Sequence, residues 1–379
     1  MAAAVNSIQA HFADLPDPRR RAQGTRHKLG DMIVIAVCAV ICCADGWADV
    51  ADFGNAKLSW FRTFLDLPHG VPCPDTFERV FARLDPGAFE RCFVSWTEAL
   101  AGSSAGKLVA VDGKRIRRSF AHAWDHSTAA HLVSAFVHEN ATVLGQLSVD
   151  CKENEIVAIP KLLALLDLAG ATVTIDAMGC QAEIAAGIVA GGGDYVLAVK
   201  ENQPTLHGQV KRLLDEAILD RFRGMAHDAC QETDGDHGRV ETRRAWCTSE
   251  AQWVGCGGDW PGLASVGVVE CVREVIGGGA STTERRYYIS SLPGTDAKAF
   301  AAAVRGHWGV ENPLHWSLDV TFAEDDSRVR TGHAAQNLSR LRRIALNQLR
   351  RETTLKAGIQ IKRQRAGWDH DYLLKVLAS

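Results

Sequence analysis

The chain has 379 residues, of which 46% are hydrophobic and 23% charged, and its formal net charge is −3 at pH 7. These fractions are those of an ordinary soluble protein, and the length provides two or three domains with sizeable cores. No apolar run reaches the roughly 18 residues of a membrane span, and the N-terminus lacks the pattern of an export signal. The eleven cysteines have no Cys-x-x-Cys spacing, which favours reduced cytoplasmic thiols over a disulfide framework or a zinc ribbon.

The first hundred residues are predicted to be a small helical domain. The apolar segment 29–44 indicates a buried helix, and amphipathic stretches follow near 47–66, 75–84 and 86–100. Asp75 is the expected N-cap of one of these helices, with Glu78 three residues later. The domain either packs and dimerises or contacts DNA, and both alternatives stay open.

A mixed α/β pattern begins after the linker at 102–106. Strands are predicted at 108–112, 131–137, 141–149, 171–176 and 195–199, with helices around 156–166 and 179–190. The turn at His138–Asn140 makes the second and third strands a hairpin. The order strand, hairpin, helix, strand, helix, strand predicts a mixed sheet flanked by helices.

The rest of the chain is predicted to be a β-rich insertion, then more helices. Short strands with glycine-rich turns fill much of 205–295 after a charged helix, and one helix is expected over 298–318. The segment 333–352 has leucines and isoleucine on one side and arginines largely on the other. We expect residues 353–379 to be a C-terminal tail.

Positive charge is concentrated locally. Residues 327–366 contain eleven Lys or Arg and one acid, Glu352, and residues 19–28 add five more cations. Local basic patches on a nearly neutral chain favour a polyanionic partner, and a solvated helix face is the alternative.

Three acids are candidate metal ligands. Asp112 and Asp176 each end an apolar strand, so a mixed sheet is able to bring them together, and Glu311 lies on a helix expected to be buried. Hard oxygen ligands of this kind suit Mg²⁺ or Mn²⁺. A pair of such ions activates a water or a 3′-hydroxyl and stabilises the leaving oxygen of a phosphodiester.

The helix that carries Glu311 also permits a zinc site. His307, Glu311 and His315 follow one another at four-residue spacing, which aligns them on one helix face, although Pro313 disturbs that helix. The usual zinc hydrolase motif has its two histidines four residues apart, and here they are eight apart. Packing or substrate positioning is the favoured role of the histidines.

The chain resembles bacterial insertion-sequence transposases of the DDE class, specifically the ISAs-type group with a β-rich insertion. The resemblance covers most of the chain. The matching stretches are Val109–Lys114, His131–Phe136, Val173–Gln181, Asp194–Lys200 with Asn202 and Gln203, Tyr287–Leu292, and His307–Asn312 through Glu324, Asp325 and Arg328.

The resemblance implies a ribonuclease-H-like core in an α/β fold. Asp112, Asp176 and Glu311 match the catalytic acids, which hold Mg²⁺ or Mn²⁺, with two ions expected. The implied domains are a helical transposase-associated domain (1–101), the catalytic core in two parts (107–204 and 296–352), the insertion (205–295) and the tail (353–379). The implied reaction is cleavage at the ends of the element and transfer of the 3′-hydroxyl to target DNA.

The implied partners are double-stranded DNA, as terminal repeats and target, and a second copy of the chain in a homodimer or larger synaptic complex. We expect a bacterial cytoplasmic protein at the nucleoid, with no membrane partner. The predicted DNA-contacting residues are Lys114, Arg115, Lys200, Asn202, Gln203, Arg305, His307, Arg328 and Arg330. Trp246, Trp253 and Trp260 are candidates for holding an extruded base.

The sequence departs from the Tyr-x₂-Arg-x₃-Glu-x₆-Lys signature of the wider superfamily. Val304, His307 and Leu318 occupy the tyrosine, arginine and lysine positions. Asp319, Glu324 and Asp325 are nearby acids, so they remain alternatives to Glu311 as the third ligand. A nuclease without strand transfer and a DNA-binding protein without catalysis are the competing functions.

Overall fold

The computed structural model describes residues 8–19, 25–120, 128–149, 154–236, 238–276 and 281–379. Its helices are α1 (Leu29–Ile41), α2 (Trp47–Ala56), α3 (Leu58–Phe61), α4 (Pro74–Arg83), α5 (Pro86–Ala101), α6 (Glu155–Leu163), α7 (Ala182–Ala190), α8 (Pro204–Leu219), α9 (Ala297–His307), a π-helix (Val310–Thr321), α10 (Ala334–Arg351), α11 (Ile359–Trp368) and α12 (His370–Leu377). Its strands are β1 (Leu108–Arg115), β2 (His131–Val137), β3 (Thr142–Val149), β4 (Thr172–Ile175), β5 (Asp194–Val199), β6 (Asp228–Asp236), β7 (Arg239–Thr248), β8 (Ser265–Val275) and β9 (Thr282–Ser290).

The chain forms two compact units, and each is built from separated segments. Unit 1 comprises Met1–Ser103, Gly113–Asn154 and Glu311–Ser379, and unit 2 comprises Ser104–Asp112 and Glu155–Val310. The division of the sequence at residues 101, 204, 295 and 352 stays a prediction.

Unit 2 is built on a mixed sheet. Its strands follow the order β1, β4, β5, β9, β8, β7, β6. The first three are parallel, and β9 then reverses direction and begins an antiparallel meander. The predicted mixed α/β sheet and the β-rich insertion are therefore confirmed.

Helices cover both faces of this sheet. Helix α9 packs Phe300 and Val304 into a buried cluster with Tyr288 of β9 and Val196 of β5. A Cβ on Gly267 of β8 would lie 2.5 Å from the Phe300 ring, so glycine is needed for this close packing. Successive side chains of a strand point to opposite faces, and next to Tyr288 the Tyr287 hydroxyl donates to Asp215 of α8 at 2.8 Å. Helix α8 therefore lies on the other face from α9.

Unit 1 is organised around α10. This helix contacts α1, α4, α5, α11, α12 and strand β3 of the β2–β3 hairpin. Asn347 of α10 completes the hairpin edge, because its side-chain amide both donates to the Val143 carbonyl and accepts from the Val143 N–H at 2.9 Å. Helix α1 is the predicted apolar helix, and it is buried from Met32 to Ile41.

Three arginines in the middle of α10 are buried. Arg340, Arg342 and Arg343 are at most 1% exposed. Arg340 pairs with Glu90 at 2.6 Å, and Arg343 pairs with Glu324 at 3.0 Å. These three arginines meet neither solvent nor a polyanion, because unit 1 surrounds this part of the helix. Their burial does not test the polyanionic partner predicted from residues 327–366 and 19–28 as a whole.

One smaller expectation also fails in unit 1. Helix α4 begins at Pro74 after Cys73, so Asp75 lies in its first turn and does not cap it. The segment predicted to be a C-terminal tail contains α11 and α12. None of the described helices combines the length and apolar character needed to cross a membrane.

Candidate active site

Two aspartates lie level with each other on neighbouring chain segments of unit 2. Strands β1 and β4 are parallel, with Val111 opposite Ile175, and Asp112 and Asp176 are the next residues. Neighbouring strands lie about 4.8 Å apart, and residues in register point to the same face of a sheet. Both aspartates are half-buried. The site thus begins with two carboxylates on neighbouring parallel strands, Asp176 directly after β4 and Asp112 within β1, which continues to Arg115 beyond the predicted strand end.

Asp176 is fixed by the 3₁₀ turn Ala177–Gly179 that follows it. Its Oδ1 accepts hydrogen bonds from the Met178 and Gly179 N–H groups at 3.1 and 3.2 Å. These bonds engage one carboxylate oxygen and satisfy two backbone donors at the start of the turn. The orientation of the Asp176 carboxylate is therefore set by local backbone geometry.

His307 lies beside this carboxylate. At the end of α9, its Nδ1 is 3.2 Å from the Thr174 hydroxyl, and Thr174 shares a sheet face with Asp176 because the two are two residues apart. Burial lowers the pKa of His307, and the nearby Asp176 carboxylate opposes that shift. His307 was predicted to contact DNA, and that role stays a prediction; in the structure it is half-buried and near the second aspartate.

Glu311 lies in the first turn of the π-helix, in unit 1. Its side chain is exposed, so the expectation that Glu311 belongs to a buried helix face is wrong. The predicted single helix over 298–318 is broken: α9 ends at His307 and the π-helix begins at Val310. Because a π-helix bonds residue i to i+5, four-residue spacing no longer keeps side chains on one face. Such helices are frequent at functional sites.

The alternatives to Glu311 are all engaged by cations within unit 1. The Lys114 ammonium is 2.6 Å from Asp319 and 3.4 Å from Asp325. Glu324 is fully buried, pairs with Arg343 and accepts from the Ser339 hydroxyl at 2.7 Å. Among the acids near the π-helix, this favours Glu311 as a metal ligand.

Lys114 is therefore a structural residue in this fold. It was predicted to contact DNA, but it is only 8% exposed and its ammonium is committed to Asp319 and Asp325. Asp319 lies on the π-helix, and Lys114 lies on β1 two residues after Asp112. The bridge ties the π-helix to the end of β1.

The other predicted DNA contacts divide into exposed and engaged groups. Arg115, Lys200 and Arg328 are exposed. Arg305 bridges Glu232 and Asp234 of β6 at 2.7 Å each, and Arg330 donates to the Arg118 carbonyl at 2.8 Å. Asn202 and Gln203 donate to backbone carbonyls next to the Asp176 turn. The exposed cations are the simplest phosphate contacts of this set.

Of the three tryptophans considered for an extruded base, Trp253 is 68% exposed and Trp260 only 7% exposed. Trp246 lies on β7 and is partly buried. Solvent exposure of this kind favours Trp253 over the other two.

His315 is in an environment that disfavours zinc. Burial, then Arg343 and Lys114, lower the pKa of His315 to about 3, while Glu324 opposes the shift. Two cations beside the imidazole repel a metal cation. The packing role predicted for this histidine thus fits its surroundings better than metal ligation.

We expect His315 to stay neutral from pH 8 down to about pH 4. In the unfolded chain the His315 imidazole has a pKa near 6.5 and binds a proton below that pH, whereas in the folded chain it stays neutral. Acidification below pH 6.5 therefore favours the unfolded chain, and the contribution of His315 to the free energy of unfolding falls as the pH falls. Histidine ¹H–¹³C NMR spectra, assigned by comparison with His315→Gln, test this directly. A resonance absent from that variant and titrating above pH 5 would contradict the prediction.

Two family models match the chain. The model "Transposase DDE domain" matches residues 103–348, and the model "DDE_Tnp_1-associated" matches residues 9–97. The first match spans well over half of the chain and contains both aspartates and Glu311. The chain belongs to the DDE transposase family.

Individual relatives agree. The transposase is 39% identical to YncI of Escherichia coli O157:H7, itself named as a predicted transposase, over 99% of this chain and 95% of the relative. It is 38% identical to the H repeat-associated predicted transposase YhhI of Escherichia coli K12, over 99% and 98% of the two chains. A piggyBac transposase synaptic complex with hairpin DNA aligns at 10% identity with a TM-score of 0.45, covering 99% of this chain and 80% of that one, a similarity too low to support a conclusion.

The transposase is therefore an enzyme of DNA transposition that depends on a divalent metal. The Asp112 and Asp176 side chains suit such an ion, because aspartate oxygens are ligands that hard divalent cations prefer. Within the described ranges, no three His, Cys, Asp or Glu side chains form a group that could hold a metal ion. The structure thus shows a pair of candidate ligands, Asp112 and Asp176, without a third residue grouped with them.

Proposed function

We propose that this transposase is of the ISAs type and uses Asp112, Asp176 and Glu311 to hold two Mg²⁺ or Mn²⁺ ions. The observation that carries the proposal is the register of β1 and β4, in which Asp112 of β1 is level with Asp176 directly after β4. Glu311 joins them because of the family resemblance and because Asp319, Glu324 and Asp325 are engaged by cations.

Divalent ions at these carboxylates would activate a water or a 3′-hydroxyl and neutralise charge on the leaving oxygen. The protein's part is to present the carboxylates in fixed orientations. The turn after Asp176 holds one of its oxygens, and the bond to Thr174 holds the His307 ring beside it. The bridge from Lys114 to Asp319 connects the last residues of β1 to the C-terminal half of the π-helix.

The proposed DNA substrate is double-stranded and is held mainly through its phosphates. Arg115, Lys200 and Arg328 are exposed cations suited to that role. Contacts of this kind make binding weaken as salt rises. We further propose that residues 1–101 form the transposase-associated helical domain, that two or more copies hold the terminal repeats together, and that the enzyme works on the nucleoid in the cytoplasm.

We expect the purified full-length transposase to cut labelled duplexes carrying the ends of its own element. Cleavage is expected in Mg²⁺ or Mn²⁺ and not in EDTA, and the freed 3′-hydroxyl should join to a supercoiled target plasmid. Gel analysis of labelled 3′ and 5′ ends distinguishes hydrolysis from strand transfer. A duplex of the same length and scrambled sequence is the matched control.

The outcomes separate the competing functions. Specific cutting without joined products would indicate a nuclease that lacks strand transfer. Specific binding without metal-dependent cutting would indicate a DNA-binding protein, and the proposed catalytic role would then be wrong.

A further inference from the structure

The loop after β5 is hydrogen-bonded to the Ala177–Cys180 turn that follows β4. Strands β4 and β5 are parallel, with Ile175 opposite Leu197, so the segments that follow them emerge at the same edge of the sheet. The Asn202 Nδ2 donates to the Ala177 carbonyl at 2.6 Å, and the Gln203 Nε2 donates to the Cys180 carbonyl at 3.0 Å. One side-chain amide thus holds each end of the turn.

Most backbone polar groups of this turn are engaged by hydrogen bonds. The Met178 and Gly179 N–H groups donate to the Asp176 carboxylate. Gln181 bonds the middle of the turn, since its Nε2 donates to the Met178 carbonyl at 3.3 Å and its N–H donates to the Gly179 carbonyl at 3.0 Å. Gln203 also donates to the Gln181 side-chain oxygen at 3.1 Å, and so it is linked through Gln181 to the middle of the turn.

The turn also packs directly against buried side chains. A Cβ at Gly179 would lie 2.2 Å from the Ile175 Cγ2 and 3.2 Å from the Ile159 Cδ1, so the backbone lies directly on the core. Ile175 and Ile159 are buried. With packing below it and amides on its outer carbonyls, the turn has little freedom to rotate. The carboxylate bonded to its N–H groups shares that rigidity.

We propose that Asn202 and Gln203 are positioning residues, which clamp the Ala177–Cys180 turn so that Asp176 presents its carboxylate to a divalent cation. The proposal rests on the proposed function, in which Asp176 is a metal ligand. Partners that orient a metal ligand contribute 10–100-fold to metal affinity in other proteins. The clamp acts through the turn, because the donors of both amides bond the turn and its neighbour Gln181.

This role differs from the DNA contact predicted from the sequence. An amide that reads DNA needs its donors directed at the nucleic acid, whereas these donors are used within the protein. Lys200, in the same loop, is exposed and remains the DNA-contacting candidate there. Substituting a positioning amide should weaken metal binding and spare DNA binding, whereas substituting Lys200 should do the reverse.

The test compares Asn202→Ala, Gln203→Met, Lys200→Ala and Asp176→Asn in the full-length protein. Binding of Mn²⁺ is measured by the electron paramagnetic resonance of the free ion, and DNA affinity is measured in EDTA by fluorescence anisotropy. We expect Asn202→Ala and Gln203→Met to weaken Mn²⁺ binding about 10–100-fold with DNA affinity unchanged. Lys200→Ala is expected to weaken DNA binding and leave Mn²⁺ binding unchanged. Thermal melting shows whether each variant is folded.

Each result has a defined meaning. If both amide variants bind Mn²⁺ as the wild type does and lose DNA affinity, the clamp is wrong and the residues contact DNA. If Asp176→Asn also keeps full Mn²⁺ affinity, the metal role of Asp176 fails and with it the proposed function. Loss of Mn²⁺ binding in Asp176→Asn alone overturns only the clamp. Gln203→Met provides an independent variant should Asn202→Ala fail to fold.

Discussion

Asp112→Asn and Asp176→Asn are each expected to slow DNA cleavage about 10³-fold, which corresponds to roughly 4 kcal/mol of lost transition-state stabilisation. An amide has the shape of a carboxylate but lacks the negative charge that a divalent cation requires. At Asp176 the asparagine oxygen is still able to accept from the Met178 and Gly179 N–H groups, so the turn should survive. The measurement is the single-turnover cleavage rate of the end-sequence duplex at saturating enzyme.

The matched control is Asp167→Asn. Asp167 is exposed and its Oδ1 accepts from the Ala169 N–H at 3.2 Å, so it fixes its own turn much as Asp176 does, away from the strand ends. We expect that variant to cleave at the wild-type rate. Glu311→Gln should match the two aspartate variants. Cleavage within tenfold of wild type by Asp112→Asn or Asp176→Asn would remove that residue from the metal site.

The strand-end pair was accessible to sequence reasoning because its signal is local. Apolar runs that stop at Asp112 and Asp176 predict strands, and the alternation of strands with helices predicts parallel neighbours. The register that brings the two residues level is set by pairing between β1 and β4, about 64 positions apart, which no local pattern encodes. The sequence therefore predicts both aspartates as ligands, and the structure was needed to show that they are neighbours.

The π-helix shows where local reasoning fails. Four-residue spacing of His307, Glu311 and His315 predicts a common face only if the chain stays α-helical. Pro313 indicates from the sequence that the α-helix is disturbed, because proline removes a helix hydrogen bond. The sequence did not reveal that the chain would restart with wider winding, which buries Leu314 and Leu318 and exposes Glu311 and Trp316.

The hydrogen bonds of Asn202 and Gln203 could not be predicted from the sequence for a related reason. Asn202 and Gln203 lie next to Lys200, so their composition is that of a phosphate-contacting loop. Whether an amide faces solvent or a neighbouring carbonyl depends on the adjacent strand. The carbonyls that receive these amides belong to a turn more than twenty residues earlier in the chain.

The buried arginines of α10 illustrate the same limit on a larger scale. The helix is amphipathic by pattern, and a surface position is the usual location for its polar face. Its acidic partner Glu90 lies 250 residues from Arg340 in sequence, and Glu324 is held by Arg343 in the same interior. Only the packing of α5, the hairpin and the following helices around α10 turns that face inward.

Arg340→Met is accordingly expected to lower the free energy of unfolding by about 3–5 kcal/mol. Arg340 donates to Glu90 at 2.6 Å and to Asn337 at 3.2 Å, and the Glu90 side chain is fully buried. Burial already raises the pKa of Glu90, and the guanidinium offsets part of that shift. Without the Arg340 guanidinium, the buried Glu90 carboxylate must either stay charged without a counter-ion or take up a proton. Urea denaturation followed by circular dichroism measures the change.

The comparison variants identify the cause. Arg365→Met removes an exposed i,i+4 pair with Asp369 at 2.8 Å and is expected to cost about 0.5 kcal/mol or less. In Glu90→Gln/Arg340→Met, the neutral glutamine still accepts from the Gln146 N–H, so we expect the double variant to recover at least half of the lost stability. Equal losses in Arg340→Met and Arg365→Met would show that the buried pair contributes no more than a surface pair. A loss of 3–5 kcal/mol approaches the total stability of many domains, about 5–15 kcal/mol, so this pair is expected to decide whether unit 1 folds.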